Sequence, residues 1–542
     1  MPSDAGTDFV TDVLRIRFGH LISKHKMGYR HRTPAIADQD GNLLVISGYL
    51  FPPGGDGVDA YRHLLSLCVE TGGKALEACE GEFVGLFAEG RSGTLHIVND
   101  RFAACPFYFL QAGDRTLFSS SLPFLSFLAE DRLESDVLGW LQIFALKRTL
   151  GSRTHLRDVT RLMPASHVTL SPGGAREQQY WRPRHEVDED PDPEDTASRV
   201  FDAFREATKR RAERLRKGII ALSGGLDSRL LAGALPVNSE FSAFTFVDSL
   251  DTTDTREVRT AAEISRILGI PHLIKPVPRG ALSPQMTRDI IALTGGLIPV
   301  QHTVKTMQCL AAIKEHGMDS QMGAAPAGLR GRSVPSVEFL DPAKTDQCVR
   351  AHSKSQLEKG ALRSRLFRRD VLREHYPELA PSLMETYEAV EGPTAIHRLT
   401  AWTAAYAQSS FTFMCPTQNH PDVTEAQPHL GYDYTDLMLR LPAAWLYERA
   451  FYKFMIVQCL PQLREVVYAN TGERLSGALI NIQSVGSNRW RESYSRFRGF
   501  VGRSLRARIP SLRRRNSFLF DLVIDSPELL SNVTEMVRSR PS

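Results

Sequence analysis

The residues best suited to chemistry are Ser223-Gly224-Gly225-Leu226-Asp227-Ser228, set between the apolar run Gly218 to Leu222 and a helical run beginning near Arg229. Glycines after a buried strand let backbone N–H groups converge on an anion, and the following helix aims its positive end at the same point. Ser223 and Ser228 add hydroxyl donors. A carboxylate alone in such a loop would repel phosphate, so Asp227 is expected to hold Mg2+, which prefers a carboxylate together with phosphate oxygens. The pattern GxxxxGK[ST] is missing, so nothing here holds a γ-phosphate for transfer. The chemistry expected is metal-assisted binding of phosphate groups.

The elements that must position this loop alternate. Ser198 to Leu215 reads as a charged amphipathic helix with Val200 and Phe204 on one face. The strand Gly218 to Leu222, the loop, the helical run RLLAGAL, a second strand SAFTFV and a helix through VRTAAEISRILG follow. That order predicts a parallel, doubly wound sheet. Helical text dominates from Leu357 to Leu460. Upstream, Leu43 to Ser121 offers short β-rich runs broken by turn residues, with helical stretches at Ala60 to Cys68 and Leu138 to Ala145 to cover the faces, a layered α+β domain. Between the two parts lies HEVDEDPDPEDT, whose seven acidic residues and two prolines cannot bury apolar surface and so mark a boundary.

Composition excludes the extreme classes. The 542 residues are 42% hydrophobic and 24% charged, as in globular proteins, which rules out collagen-like and wholly disordered chains. No run approaches 18 apolar residues and the N-terminus lacks a signal-peptide pattern, so a cytoplasmic protein is expected. The seven cysteines are scattered, without a CxxC pair, and are expected to be buried free thiols. The net charge of +4 sums opposed blocks: Ser487 to Ser542 carries twelve arginines against five acidic residues, which is +7 and leaves −3 for the rest. Trp490, Tyr494, Phe497, Phe500 and Val501 are interspersed with those arginines, so this end suits a solvated face on the acidic body or an anionic surface or partner. No nucleic-acid partner is expected, because no recognition motif accompanies the charge.

SGGLDS resembles the PP-loop of the ATP pyrophosphatase superfamily, and within it the chain resembles the asparagine synthetase family, with the β-lactam synthetases and lasso-peptide macrocyclases as relatives. The resemblance covers most of residues 45 to 475. FTFV, Glu257-x-x-x-Ala261, Leu268-Gly269 and His272 are similar to the family's second strand and helix, whose strand end lies against adenine. Asp433, Leu441-Pro442, Lys453 and Leu460-Pro461 resemble its proline-marked helices. In the first half, Gly81-Glu82-Phe83, Asp100-Arg101-Phe102, Pro106-Phe107-Tyr108 and Leu117 to Ser120 resemble the family's class II glutamine amidotransferase domain. The resemblance implies an α+β N-terminal antiparallel sandwich followed by an α/β doubly wound parallel-sheet synthetase domain. It implies ATP and Mg2+ as cofactors. Leu222, Ser223, Gly224, Gly225, Asp227, Ser228 and Phe246 would bind ATP and its pyrophosphate, with Asp227 on the metal and Lys453 catalytic.

Two departures bear on activity. The family's N-terminal cysteine nucleophile is missing, since Pro2 follows Met1. Its glutamine-holding string is replaced by Ser47-Gly48-Tyr49, and Ser121 stands for its final glutamate. The second pyrophosphate loop matches Met322 to Gly328, with Ala327 at the metal aspartate; Asp319, Arg330 and Arg332 are candidates to compensate. Asp100 is expected to hold Arg101 or cap a turn. The expectation is an ATP-dependent amide ligase that adenylates a small-molecule or peptide carboxylate, releases pyrophosphate and captures the acyl group with an amine, without glutaminase activity. A macrocyclase or β-lactam synthetase-like enzyme and a catalytically degenerate nucleotide-binding protein stay open, as does a homodimer. The expected layout is a degenerate amidotransferase-like domain over 1–185, an acidic linker over 186–196, an ATP pyrophosphatase domain over 197–486 and an arginine-rich tail over 487–542.

Overall fold

The computed structural model describes residues 9–475 apart from 17–18, 27–34, 56, 113–114, 130–132, 172, 249–254, 278–282, 301–302, 326–327, 361–366 and 414–422. Ala327 and the arginine-rich stretch 487–542 lie outside the described residues. Two antiparallel strands, β1 (Phe9–Ile16) and β2 (Gly19–Lys26), pair upstream of the expected β-rich stretch. A six-stranded antiparallel sheet follows, in the order β11-β10-β6-β5-β4-β3. It is built from β3 (Ala35–Ala37), β4 (Leu43–Phe51), β5 (Glu80–Ala88), β6 (Leu95–Asn99), β10 (Ser166–Ser171) and β11 (Gly174–Gln179). A three-stranded sheet, β8-β7-β9, holds β7 (Tyr108–Ala112), β8 (Arg115–Ser119) and β9 (Val159–Arg161).

Side chains alternate across a strand, which explains why β4 is apolar throughout. Leu44 and Ile46 meet Tyr61, Leu64, Leu65 and Cys68 of helix α1 (Val58–Thr71) on one face. Val45, with Val84 and Ile97, meets Phe107, Phe109 and Phe118 of the smaller sheet on the other. The outer face of the smaller sheet packs Tyr108 and Leu110 on helices α2 (Leu122–Leu128) and α3 (Val137–Leu146). The N-terminal part is therefore an antiparallel sandwich between helices.

The acidic segment ends in a helix rather than before one. Asp192 caps α4 (Pro193–Leu215), accepting from the Asp195 N–H at 2.7 Å, with Pro193 in the first turn beside Glu194 and Asp195. The helix thus starts five residues before Ser198, because acidic residues and proline favour a helix N-terminus. The second part is a five-stranded parallel sheet, β14-β13-β12-β15-β16. Its elements are β12 (Lys217–Ala221), α5 (Leu226–Ala234), β13 (Glu240–Asp248), α6 (Arg256–Leu268), β14 (His272–Val277), β15 (Ser320–Met322) and β16 (Thr424–Ala426). Ile220 and Ala243 pack with Leu230 of α5 and Ile264 of α6, while Ile219 and Phe244 pack with Leu310 and Ile313 of the helix Val304–Glu315. Helices therefore cover both faces. The strand order turns back at β12, so the loop leaving its carboxyl end opens where ligands bind in open parallel sheets.

A buried cation joins the two parts. Arg211 of α4 is fully enclosed and donates to Glu82 at 2.8 and 3.1 Å and to Glu80 at 2.9 Å, both on β5. Glu80 also pairs with Arg210 and accepts from the Tyr432 N–H at 3.2 Å. Nearby, Arg101 donates to Asp436 at 2.8 and 3.0 Å and lies 4.0 Å over the Tyr432 ring. Asp100 instead accepts from the backbone N–H groups of Phe83, Phe102 and Ala104, which makes it the cap of its turn.

Removing Arg211 would strand two buried carboxylates, so Arg211→Ala is expected to lower unfolding free energy by roughly 3–5 kcal/mol in denaturant titration. Burial pushes His155 down to about 4, and burial with the nearby Arg330 and Arg211 guanidiniums pushes His429 down to about 3. Both are neutral when folded, so their contribution is complete above their ordinary value near 6.5 and is lost as pH falls toward 4 and 3. Unfolding free energy should drop below pH 6.5 by up to about 1.4 kcal/mol per pH unit for each histidine, and His429→Gln should flatten that slope.

Candidate functional site: the phosphate-loop cavity

Gly225 is the N-cap of α5, with extended backbone at φ −80° and ψ 177°, so the helix begins at Leu226 and not near Arg229. Asp227 and Ser228 therefore stand in its first turn, where N–H groups have no intrahelical acceptor. The two serines close the loop on itself. The Ser223 N–H donates to Ser228 Oγ at 3.0 Å, the two hydroxyls lie 3.0 Å apart, and the Gly225 N–H donates to Ser223 Oγ at 3.1 Å. Their hydroxyls hold the shape of the loop that was expected to offer them as donors. Leu222 is buried at the strand end, its N–H bonded to Phe244 O at 2.8 Å and its carbonyl accepting from Thr245 Oγ1 at 2.8 Å.

The loop from Ser223 to Asp227 forms one wall of a cavity of about 220 Å³. Glu257 in the first turn of α6, Arg330 and Arg449 form others, and Tyr468, Ala469 and Asn470 close it. This closing segment is fastened to the loop and its helix. Arg229, buried in α5, donates to Val466 O at 3.1 Å and Val467 O at 2.7 Å, and the Ala469 N–H donates to Gly224 O at 3.2 Å. Glycine is required at 224 because a Cβ there would stand 2.3 Å from Ala469 Cβ and 3.2 Å from Thr260 Cβ.

Asp227 meets the guanidinium of Arg330 through Oδ2, while its Oδ1 is buried without a hydrogen-bond partner. Burial and the adjacent Arg449 push the Arg330 guanidinium below its ordinary value. Arg449 sits at the N-cap of the helix Ala450–Cys459 and donates to Tyr468 Oη at 3.2 Å. Among the described residues no group of three His, Cys, Asp or Glu side chains could cage a metal. The orphaned Oδ1 does fit Mg2+, a cation that takes one carboxylate and completes its shell with phosphate oxygens and water.

Lys453 does not line the cavity. It lies one turn after Arg449 on the same helix face, its N–H bonded to Arg449 O at 3.1 Å, and its ammonium is pushed down by burial against an opposing pull from Glu448. Phe246 does not reach the cavity either. Its ring stands 4.6 Å from that of Phe244, among Leu273 and Met307 on the sheet face under the helix Val304–Glu315. Asp319 accepts from the Ser320 hydroxyl at 2.9 Å, Asp433 is exposed, and neither lines the cavity. Arg332 points away and donates to Leu399 O at 3.2 Å. Sequence reasoning missed Arg449, Tyr468 and Asn470; the four-residue step from Arg449 to Lys453 was the available signal.

Residues 61–181 match the family model described as a glutamine amidotransferase domain. The N-terminal part is glutamine amidotransferase-like. No curated protein matches the chain. Among solved structures the chain is similar to the glutamine phosphoribosylpyrophosphate amidotransferase from B. subtilis, complexed with ADP and GMP, at 8% identity over 48% of this chain and 82% of that one, with a TM-score of 0.22. It is also similar to a structure described as the allosteric regulatory enzyme of purine biosynthesis, at 9% identity over 47% of this chain and 64% of that one, with a TM-score of 0.21. In the amidotransferase-like part, burial pushes the Cys68 and Cys79 thiols up to about 12, and Cys105 donates to Glu82 O at 3.4 Å. Ser47-Gly48-Tyr49 lies within β4 paired to β5, where a Cβ on Gly48 would stand 2.2 Å from Glu82 O. Ser121 caps α2, accepting from the Phe124 N–H at 3.3 Å.

Gly224→Ala should force the closing segment off the loop and destabilise the fold by roughly 1–3 kcal/mol. Ala469→Gly added to it should restore most of the loss, a coupling that a double-mutant cycle on unfolding free energies would read.

Proposed function

We propose that the chain is an ATP-dependent, AMP-forming carbon–nitrogen ligase of the asparagine synthetase type, acting without glutaminase activity. The observation that carries this reading is the SGGLDS loop at the turning point of the parallel sheet, with Asp227, whose buried Oδ1 has no hydrogen-bond partner, lining a cavity that also presents two guanidiniums. First-turn N–H groups of α5 and Arg449 would hold the β,γ-pyrophosphate as leaving group. Asp227 would hold Mg2+, which screens phosphate charge when bound. A substrate carboxylate oxygen attacks the α-phosphorus, the bond to the pyrophosphate oxygen breaks, and the acyl adenylate forms. An amine then attacks the acyl carbon, loses a proton and displaces AMP. Lys453, one turn beyond Arg449, would stabilise charge on the departing phosphates and on the tetrahedral intermediate.

The reading without glutaminase is supported by the described cysteines of the amidotransferase-like part, Cys68, Cys79 and the partly buried Cys105, whose thiols burial raises, since the nucleophile must be a thiolate. The amine would then be ammonia or an amino group of the substrate.

Pyrophosphate release from Mg-ATP across a panel of carboxylic acids tests the reading. At least one acid should support release, and Asp227→Asn should lower it by about a hundredfold or more. Lys453→Gln should slow amide formation while leaving ATP binding unchanged. Absence of release with every acid, together with unchanged nucleotide binding in Asp227→Asn, would sink the proposal, and glutamate formed from glutamine would overturn its second clause.

A further inference from the structure

The cavity's charges cancel in an uneven way. Asp227 and Glu257 contribute two carboxylates, and Arg330 and Arg449 contribute two guanidiniums. Arg330 is spent on Asp227 and Arg449 donates to Tyr468, while Glu257 faces the same space. A free polyphosphate entering here would find one partly engaged cation and one carboxylate. A free metal ion would find Asp227 already paired with a guanidinium, on side chains only 21% and 24% exposed.

We infer that the Arg330–Asp227 ion pair is a charge latch that selects the magnesium complex of a nucleotide polyphosphate over either the free nucleotide or the free metal. The inference rests on the nucleotide-binding reading above and names the ligand form and the residue that discriminates. Arg330 holds Oδ2 of Asp227 and Oδ1 is buried, so Mg2+ reaches the carboxylate only when Arg330 lets go, and Arg330 gains a new partner only if phosphate oxygens arrive together with the cation. The guanidinium fork suits both partners, since it matches carboxylate and phosphate alike. Neither exchange is favourable alone: parting the pair for a metal leaves a half-buried guanidinium unpaired, and parting it for an anion leaves a carboxylate beside phosphate. Taken together, each charge keeps an opposite neighbour. Binding of metal and anion is thereby coupled, and the coupling is reciprocal by linkage.

Isothermal calorimetry on the full chain tests this with three titrants: Mg2+ alone, ATP in EDTA, and ATP with Mg2+. The wild type should bind ATP at least about tenfold more tightly with Mg2+ than in EDTA, and Mg2+ alone weakly. Arg330→Gln removes the competitor for Asp227, so Mg2+ alone should bind at least about tenfold more tightly than to the wild type, while the gain from adding Mg2+ to ATP shrinks. Arg330→Lys keeps a cation and should keep the wild-type order. Equal wild-type affinity for ATP with and without Mg2+ overturns the latch and needs no variant. Arg330→Gln with unchanged Mg2+ affinity and unchanged coupling also overturns it, yet leaves the ligase reading standing. A wild type that binds ATP under neither condition removes both.

Discussion

A fully buried guanidinium joins the two parts of this protein. Arg211 has no exposed surface, and its donors are divided between Glu80 and Glu82 of the amidotransferase-like sheet. Burying charged groups costs several kcal/mol each unless every charge is met, so this cluster of three gives little net stability and much geometric definition. Glu80 carries the effect onward, because its second oxygen accepts from the Tyr432 N–H. The helix Ala450–Cys459 then packs through Phe451 and Met455 in the core that also holds Phe204 of α4, which places Arg449 at the cavity.

Close backbone approach is the second constraint. Gly224 has no room for a side chain, and Gly233 on α5 is equally crowded, since a Cβ there would stand 2.4 Å from Leu460 Cδ1. Both contacts press the chain that follows the helix Ala450–Cys459 onto α5. The cavity exists because that chain is held down by Arg229 and by the Ala469 to Gly224 hydrogen bond. The cavity is a loop and its cover, and the cover comes from a point more than 240 residues along the sequence.

Much of the fold was legible. The continuous apolar runs of β4 and β5 follow from burial on both faces, and the alternation around Gly218 to Leu222 foretold the parallel sheet and the glycine-rich turn after its first strand. The start of α4 was misplaced because its first turn is acidic and resembles a linker, although acids at that point stabilise a helix. Phe246 was expected against the nucleotide from its place at the strand end. Period-two alternation puts it with Phe244, on the face beneath Leu310 and Ile313. The hydroxyls of Ser223 and Ser228 were expected as donors to a ligand, and the turn uses them for its own closure.

What the sequence determined by itself was local: a glycine-rich turn after a buried strand, a carboxylate in the first helical turn, and the apolar patterns that make one sheet antiparallel and the other parallel. These follow from backbone sterics and side-chain periodicity, which act over a few residues. Only the tertiary structure decided the electrostatics. Arg330 stands 103 positions from Asp227 and Arg449 stands 222 away, so their effect on the loop depends on sheet order and on packing against α4 and α5. Charge interactions reach as far as the fold brings groups together, and they are stronger in a half-buried cavity than in water.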